Sequence, residues 1–393
     1  MLDQRQVASA LAAKKDRFAR YRERQGTALE SYRRQWTEVA TLTRSEIEAG
    51  LRRARWPGAL PTEEHDRFRA PAVRFAEHWA NHEEARAWAL RTLLGVPTIA
   101  VDGSQIAPSR DLSPPVGAVQ IGWYENLHSL SGDYVKNISF EVLAPDELAG
   151  EGPDGAGGYP DAEINWRRFQ GECSRLIACM EAHQGREPTP VCFFDGSLIV
   201  SFVQHLRPEA QAAHLRIVRE LLVASAQTRV PLVGYVDTSY ASDLVAMLDT
   251  LAGRNGPPEV SDGAVLRPLL RWGDRTPAWL CARHDSVEAG PEGKYYDQVG
   301  FVYLQTTAEN PPARIDFPRW LLEAGELDRV VDIVRAECVI GNGYPYCAET
   351  ADAVAVITLE DRQRFFAAFQ RFAEREGIPL RLRRKTASKL ERR

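Results

Sequence analysis

Two aspartates occur in the same short pattern, each directly after an apolar run. Asp102 follows TIAV in TIAVDGS, and Asp195 follows VCFF in VCFFDGS. Carboxylate oxygens bind hard divalent ions such as Mg²⁺ and Mn²⁺, and a pair of such ions can promote the hydrolysis of a phosphodiester bond. Asp-Gly-Ser is also a common exit from a strand, so a turn role is the alternative for each aspartate.

The elements around these aspartates decide whether their carboxylates meet. TIAVDGS predicts a first strand that ends in a turn, and GAVQIGWY and DYVKNISFEVL predict two more strands in an antiparallel meander. A helix over about 162–184, the strand VCFFD, a helix over about 208–228 and the strand VPLVGYVD follow. This order, β-β-β-α-β-α-β with helices at the end, predicts a ribonuclease-H-like α/β fold with a mixed sheet. If the first and fourth strands are parallel neighbours, Asp102 and Asp195 emerge at the same edge of the sheet.

The helix that precedes VCFFD is expected to supply a third carboxylate. Its apolar stripe at helical spacing consists of Phe169, Cys173, Leu176, Ile177 and Met180. Glu172 and Glu181 flank the stripe on opposite sides. Because the helix runs antiparallel to the following strand, only its N-terminal half lies near the strand's carboxyl end. We therefore expect Glu172 to reach the aspartates, with Glu181 as the alternative.

Composition limits the classes of protein that fit. The 393 residues are 44% hydrophobic and 26% charged, as in a soluble globular protein. The apolar runs fall short of the ~20 residues of a membrane helix and the charged N-terminus lacks a signal core, so we expect a cytoplasmic protein without a membrane partner. The net charge of −5 means that any DNA-binding surface is local. The six cysteines contain no C-x-x-C pair, which predicts reduced and mostly buried thiols.

The first part of the chain predicts helices. Residues 2–55 are rich in helix-forming types, Trp56-Pro57-Gly58 interrupts them, and a second helical run extends over 71–94. This segment could bind a partner or pack on the core, and we favour packing. The predicted division is a helical N-terminal extension (1–95), a nuclease domain (96–380) and a basic, disordered tail (381–393).

Four segments together resemble the landmarks of the NurA nucleases. They are, in chain order, AVDGS, FFDGSL, FVYLQTTAENPPARIDFPRW and GNGYPYCAETADAVAVI. The similarity extends over about residues 95–360. It implies a nuclease that depends on Mn²⁺ (or Mg²⁺), with two ions, and that acts on DNA as a homodimer. It also implies a hexameric HerA-type ATPase as the partner in DNA end resection and double-strand break repair.

The resemblance also implies the roles of individual residues. The motif acids fall on Asp102 and Asp195, the helical glutamate on Glu172, and the late motif tyrosine on Tyr344. We favour contact of Tyr344 with DNA or phosphate because of the motif. Its ring could instead anchor the turn beside Pro345.

One position departs from the family pattern. Family members usually have an Ala-His pair after G-Y-P-Y, whereas here Ala351 is followed by Asp352. Aspartate and histidine can both donate a lone pair to a metal, so Asp352 is expected to be a fourth metal ligand. The substitution adds one negative charge and could shift the preferred metal.

Two other functions fit parts of the pattern. An actin-like ATPase shares the ribonuclease-H-like topology and holds phosphates with two Asp-Gly turns, but it needs a glycine-rich adenosine site for which we find no clear counterpart. A non-catalytic adaptor of a motor ATPase is the second alternative, and the retained acids Asp102, Glu172 and Asp195 argue against it.

A cation beside two aromatic residues is a further candidate for contact with nucleic acid. Lys294, Tyr295 and Tyr296 are consecutive in the chain. Tyrosine rings can stack on bases, but these rings could equally pack in a strand.

Overall fold

The computed structural model describes residues 2–109, 112–148, 160–254, 256–283 and 295–382. The chain forms two compact units, one made of 1–79 with 235–323 and the other of 80–234 with 324–393. Each unit contains both helices and strands, and the sheet contains both parallel and antiparallel pairs. The predicted α/β class with a mixed sheet is therefore confirmed. The division at residues 95 and 380 stays a prediction.

The α-helices of the described residues are α1 Gln4–Ala12, α2 Lys15–Val39, α3 Arg44–Leu51, α4 Glu63–Phe68, α5 His82–Leu93, α6 Pro145–Leu148, α7 Pro160–Ala182, α8 Pro208–Thr228, α9 Asp243–Leu251, α10 Asp262–Leu266, α11 Trp320–Glu323, α12 Leu327–Ile340, α13 Tyr346–Ala355 and α14 Leu359–Arg375. Short 3₁₀ helices cover Ser201–His205, Arg267–Leu269 and Tyr296–Gln298. The strands are β1 Gly58–Pro61, β2 Thr98–Ile106, β3 Leu112–Ser113, β4 Gly117–Asn126, β5 Tyr134–Leu143, β6 Val191–Asp195, β7 Leu232–Val236, β8 Trp279–Ala282, β9 Val299–Leu304, β10 Ala313–Pro318 and β11 Arg381–Leu382. Among the helices of the described residues, none is long and apolar enough to span a membrane.

The second unit contains the strands that carry the candidate aspartates. Its strand order is β7-β6-β2-β4-β5, and the chain leaves the unit within β7. β2 pairs with β4 in antiparallel fashion, and β4 pairs likewise with β5, which confirms the predicted meander. β2 is also parallel to β6, from Thr98↔Val191 to Val101↔Phe194. The predicted neighbour relation of the first and fourth long strands is therefore confirmed.

The prediction that Asp102 ends its strand is wrong. β2 continues past Asp102 to Ile106, because its antiparallel pairing with β4 continues to Ile106↔Ala118. Only the parallel pairing with β6 stops at Val101↔Phe194. Asp102 and Asp195 thus both follow the last parallel pair, although only Asp195 ends a strand.

Helix α7 covers this part of the sheet with its predicted apolar face. Phe169, Cys173, Leu176 and Met180 are buried as expected from their helical spacing. The helix packs closely because a Cβ at Gly171 would lie 2.8 Å from Ile121 of β4. The close approach brings the polar residues beside the stripe near the strand ends.

The first unit contains the sheet segment β1-β8-β9-β10, in which the neighbouring strands are antiparallel. The C-terminal half of α2 packs in this unit through Tyr32, Trp36 and Val39, which are all buried. The ring centroid of Trp36 lies 5.7 Å from that of Trp279 in β8. This part of the N-terminal segment packs on the core, as predicted.

The predicted second helical run over 71–94 is wrong in its first half. Only His82–Leu93 is helical, and Asn81 caps that helix by accepting a hydrogen bond from Glu84 N. Residues before it make tertiary backbone bonds instead: Val73 pairs with Arg275, and Phe75 N donates to Asp274 Oδ1 at 3.0 Å. These partners satisfy the backbone groups that a helix would have used.

The predictions for the cysteines and for the C-terminal tail have different outcomes. The six cysteines are buried and none is in a disulfide, as predicted. The tail does not begin as a disordered segment, because Arg381–Leu382 pairs with Leu112–Ser113; residues 383–393 lie outside the described residues. After β5, Pro145–Leu148 forms a short helix, and residues 149–159 also lie outside the described residues.

Candidate active site

The two Asp-Gly-Ser segments have different backbone structures. Asp195 ends β6 and Gly196 has φ 143°, a conformation that only glycine adopts readily, so the chain turns there. Gly103 instead stays within β2. A Cβ at Gly103 would lie 2.5 Å from Glu172 Oε1 and 2.7 Å from Arg168 Cγ. The first glycine therefore admits side chains of α7 to the strand, whereas the second permits a turn.

Glu172 is the helical carboxylate beside the aspartates. It is only 8% exposed, and Arg168 Nη1 donates to its Oε1 at 3.1 Å. The same guanidinium nitrogen donates to Gly103 O at 3.3 Å, so Arg168 links α7 to β2. Glu181 is exposed near the other end of α7, at Ala182. Of the two candidates, only Glu172 lies with the aspartates.

The last part of the chain brings two further predicted residues to the strand ends. Tyr344 Oη donates a hydrogen bond to Asp195 Oδ1 at 2.7 Å. Asp352 of α13 is exposed, and its carboxyl group lies close enough to Asp102 to raise the pKa of that residue. α13 packs tightly on β4, since a Cβ at Gly122 would lie 2.7 Å from Ala355 N.

The structure therefore gathers all five residues that the sequence suggested. They are Asp102, Glu172, Asp195, Tyr344 and Asp352. Tyr344 contacts a carboxylate, an arrangement that neither of the two interpretations of its motif included.

The electrostatics of the cluster are those of crowded acids. Burial raises the pKa of Asp102 to about 6, and repulsion from Asp352 and Asp195 adds to this against the opposing hydrogen bond from Gly103. Burial likewise raises the pKa of Glu172 to about 7, with further repulsion from Asp102 and Asp195 and partial compensation by Arg168. Arg168 therefore compensates the negative charge of the cluster only in part.

Glu337 is a residue of this region that sequence reasoning missed. It is fully buried in α12; its Oε1 accepts from Thr98 Oγ1 at 2.7 Å, and its Oε2 accepts from Cys347 N at 2.8 Å. The Nε2 of His128 lies 3.2 Å from Oε1. Glu337 thus ties the start of β2 to the first turn of α13, the elements that carry Asp102 and Asp352. No local pattern in the helix sequence distinguishes it.

The donor set of the cluster fits a hard divalent cation. Carboxylate oxygens are the ligands that Mg²⁺ and Mn²⁺ prefer, and a cation would relieve the repulsion that raises these pKa values. Within the described ranges, however, no three or more His, Cys, Asp and Glu side chains are already arranged to hold a metal ion. Arg168 contacts Glu172, and Tyr344 contacts Asp195.

The comparison with family models agrees with the resemblance seen in the sequence. No curated protein matches the chain significantly. A crystal structure of NurA is 9% identical, with a TM-score of 0.42 over 70% of this chain and 88% of that chain. A crystal structure of NurA with manganese is 10% identical, with a TM-score of 0.39 over 69% and 88%. The family model described as the NurA domain matches residues 96–357, well over half of the chain, and includes all five clustered residues. The chain therefore belongs to the NurA family of nucleases.

Proposed function

We propose that this nuclease hydrolyses phosphodiester bonds of DNA and depends on two divalent ions, Mn²⁺ or Mg²⁺. The observation that carries the proposal is the group of crowded carboxylates in which burial and mutual repulsion raise the pKa of Asp102 to about 6 and of Glu172 to about 7. Uncompensated buried acids are costly, and a site that binds cations is a physical reason for retaining them.

Four carboxylates of the cluster would hold the ions: Asp102, Glu172, Asp195 and Asp352. When bound, divalent ions lower the pKa of water and stabilise the leaving oxygen in phosphodiester hydrolysis. Tyr344 holds the carboxylate of Asp195 in place through its hydrogen bond to Oδ1.

Arg168 has a separate role in this proposal. Its ion pair with Glu172 limits the repulsion among the acids, and its side chain is 37% exposed. A guanidinium group in this position can also pair with a phosphate oxygen of the substrate. Arg168 therefore helps to admit an anionic strand to an acidic site.

The family membership supports the partners of the proposal. We propose that the chain works in the cytoplasm as a homodimer with a HerA-type hexameric ATPase, in the resection of DNA ends during double-strand break repair. In that assembly the ATPase would move the DNA, and the carboxylate cluster would cleave it.

The decisive experiment is metal-dependent cleavage of end-labelled DNA by the purified chain. We expect cleavage with Mn²⁺ or Mg²⁺, no cleavage with EDTA, and no requirement for ATP. Asp195→Asn is the control variant, since it removes a ligand charge with little change in volume. ATP-dependent thermal stabilisation without cleavage would instead support an actin-like ATPase. Binding of a motor ATPase without any cleavage would support the adaptor.

A further inference from the structure

An exposed phenylalanine lies in the segment that directly follows the turn after Asp195. Phe202, on the 3₁₀ helix Ser201–His205, is 54% exposed. Its ring centroid lies 5.9 Å from that of Phe169 and 5.8 Å from that of His214, both edge-to-face. One side of the phenylalanine thus contacts buried rings, while a large apolar area faces solvent.

A series of ring contacts connects Phe202 with the residue before Asp195. Phe169 is buried, and its ring makes an edge-to-face contact at 6.1 Å with Phe194, the residue before Asp195. Phe169 also lies one helical turn before Glu172 on α7. The exposed ring is therefore anchored on Phe169, which lies one helical turn from Glu172 and contacts the residue before Asp195.

The ring cluster carries no charge of its own at neutral pH. Burial lowers the pKa of His214, and its Nδ1 lies 2.7 Å from Ala210 O, at hydrogen-bonding distance. Because the rings of Phe169 and His214 are neutral, they do not attract a phosphate to Phe202. Its exposed face is suited to a flat apolar or aromatic partner.

The same short segment also displays polar and cationic groups. Gln204, His205 and Arg207 are exposed beside Phe202. Alternation of an aromatic ring with hydrogen-bonding and cationic groups is typical of surfaces that follow a nucleic-acid strand, with bases on the ring and phosphates near the cation. The aromatic pair that the sequence suggested for this role is buried: Tyr295 is 2% and Tyr296 1% exposed, and Lys294 lies outside the described residues.

We propose that Phe202 is a stacking platform for one unpaired nucleobase of the substrate strand, next to the cleavage site. The inference rests on the proposed function, because it needs a strand held at the acid cluster. Inside a duplex each base is covered on both faces by its neighbours, so the platform admits a base only from a single strand or a frayed end. The chain should therefore bind a single-stranded end more tightly than the same sequence in a blunt duplex.

The test measures binding rather than cleavage, in an Asp102→Asn background that leaves the DNA intact. A single-stranded oligonucleotide carrying 2-aminopurine reports stacking by loss of fluorescence and binding by anisotropy. We expect Phe202→Ala to raise Kd about five- to hundredfold and to abolish the quenching. Phe202→Trp should retain both. Phe18→Ala is the matched control, because Phe18 is 60% exposed but lies on α2, away from the acid cluster in sequence.

A second measurement decides what covers the ring. A series of oligonucleotides carries a single abasic site, which is moved along the strand one position at a time. The protein that retains Phe202 should bind one of these oligonucleotides weakly. Its affinity for that oligonucleotide should equal the affinity of Phe202→Ala for the intact strand. With that oligonucleotide, Phe202→Ala should cause no further loss. Additive losses, or quenching that survives Phe202→Ala, would overturn the proposal. So would a lower molar mass of Phe202→Ala in sedimentation without any change in quenching, since a second copy of the chain would then cover the ring.

The binding results are independent of the fate of the proposed function. If the wild-type chain fails to cleave DNA but Phe202→Ala abolishes quenching, the stacking platform stands and the nuclease proposal fails. If cleavage is metal-dependent but Phe202→Ala behaves like Phe18→Ala, the nuclease proposal stands and the platform is wrong.

Discussion

Two groups of acids in this molecule, each with a buried member, have opposite electrostatic surroundings. In the first compact unit, Asp243 is paired with two arginines: Arg283 Nε donates to its Oδ1 at 2.8 Å, and Arg314 donates to its Oδ2. Burial would raise the pKa of Asp243, but Arg314 and Arg283 reverse this and lower it. In the second unit, burial and repulsion from other acids raise the pKa of Asp102. Arg168 donates a hydrogen bond to Glu172 of this cluster.

The difference distinguishes Asp243, which two arginines keep ionised, from Asp102 and Glu172, whose pKa values are raised. A buried charge with good partners stays ionised and stabilises its surroundings only as long as the pair is intact. A buried charge with too few partners destabilises the fold and is a candidate for binding something that supplies the missing charge. Burial alone would not distinguish Asp243 from Glu172, since both are largely buried; the nature of their neighbours does.

The largest expected effect is on cleavage by the acid cluster. Asp102→Asn and Asp195→Asn should each lower the cleavage rate at least about a thousandfold, and the double variant should lose little more, because the residues act as a unit. Asp102→Asn should also keep or raise the melting temperature, since it removes a repelled charge. Cleavage by purified Asp102→Asn at the wild-type rate with Mn²⁺ would contradict the assignment.

The paired group should respond in the opposite way. Asp243→Asn leaves Arg314, which is 1% exposed, without one of its two carboxylate partners. We expect the free energy of unfolding to fall by about 3–5 kcal/mol, as for other broken buried ion pairs. Urea denaturation of the two proteins measures this directly. An unchanged unfolding midpoint would show that the arginines of this group are compensated in another way.

Glu172 and Glu181 test the comparison within one helix. Glu172→Gln should lower cleavage at least about tenfold, in line with the loss of a metal-site group, whereas Glu181→Gln should have little effect because its side chain is exposed away from the cluster. Both changes preserve volume, so each serves as the control for the other. A larger loss for Glu181→Gln would place the functional face of α7 elsewhere.

The comparison also shows what the sequence could predict. The bounds of β6 and α8 match the predicted segments, because their apolar patterns and flanking prolines are local signals. The meeting of Asp102 and Asp195 followed from the order of elements, which makes β2 and β6 parallel neighbours, although β2 continues past Asp102. Segments whose backbone bonds go to distant partners, such as 71–81, were not predictable in this way.

Some features of the site depend on packing that leaves no sequence pattern. Arg168 is one arginine among several on α7, and only the close approach at Gly103 shows that it bridges to the strand. Phe202 differs from other apolar residues of its segment only in being exposed: Val203, its neighbour, is fully buried. Helical or strand periodicity does not apply to a 3₁₀ helix of five residues.

The pH dependence of stability is expected to differ between the two groups. The pKa of Asp102 is raised from 3.8 to about 6, and that of Glu172 from 4.5 to about 7. Between the unfolded and folded pKa values of these two residues, the folded chain therefore binds more protons than the unfolded chain. The stability that Asp102 and Glu172 contribute through these protons is present below about pH 4 and lost as the pH rises through 6 and 7.

Metal-free protein in EDTA isolates this effect. The melting temperature of the wild type relative to Asp102→Asn should fall as the pH rises from about 5 to 8, and added Mn²⁺ should restore the wild type at the upper end. The contribution of Asp243 to the stability of the fold should not fall over that range, because its pKa is lowered. A wild-type advantage that grows with pH in EDTA would mean that the cluster is already compensated.

The smallest effect concerns Asp352, where the chain departs from its family's pattern. Asp352 is exposed on α13 and lies near Asp102, where its negative charge raises the pKa of that residue. Asp352→His keeps a group that can coordinate a metal and removes one negative charge from the cluster. We expect it to retain substantial cleavage activity and to shift the preference from Mg²⁺ towards Mn²⁺, which accepts nitrogen ligands more readily. Asp352→Ala offers no ligand and should be less active than Asp352→His at every metal concentration. Metal titrations of cleavage with one labelled DNA and the three proteins separate these cases. Coinciding curves would mean that Asp352 only faces solvent, and the cluster would then consist of Asp102, Glu172 and Asp195.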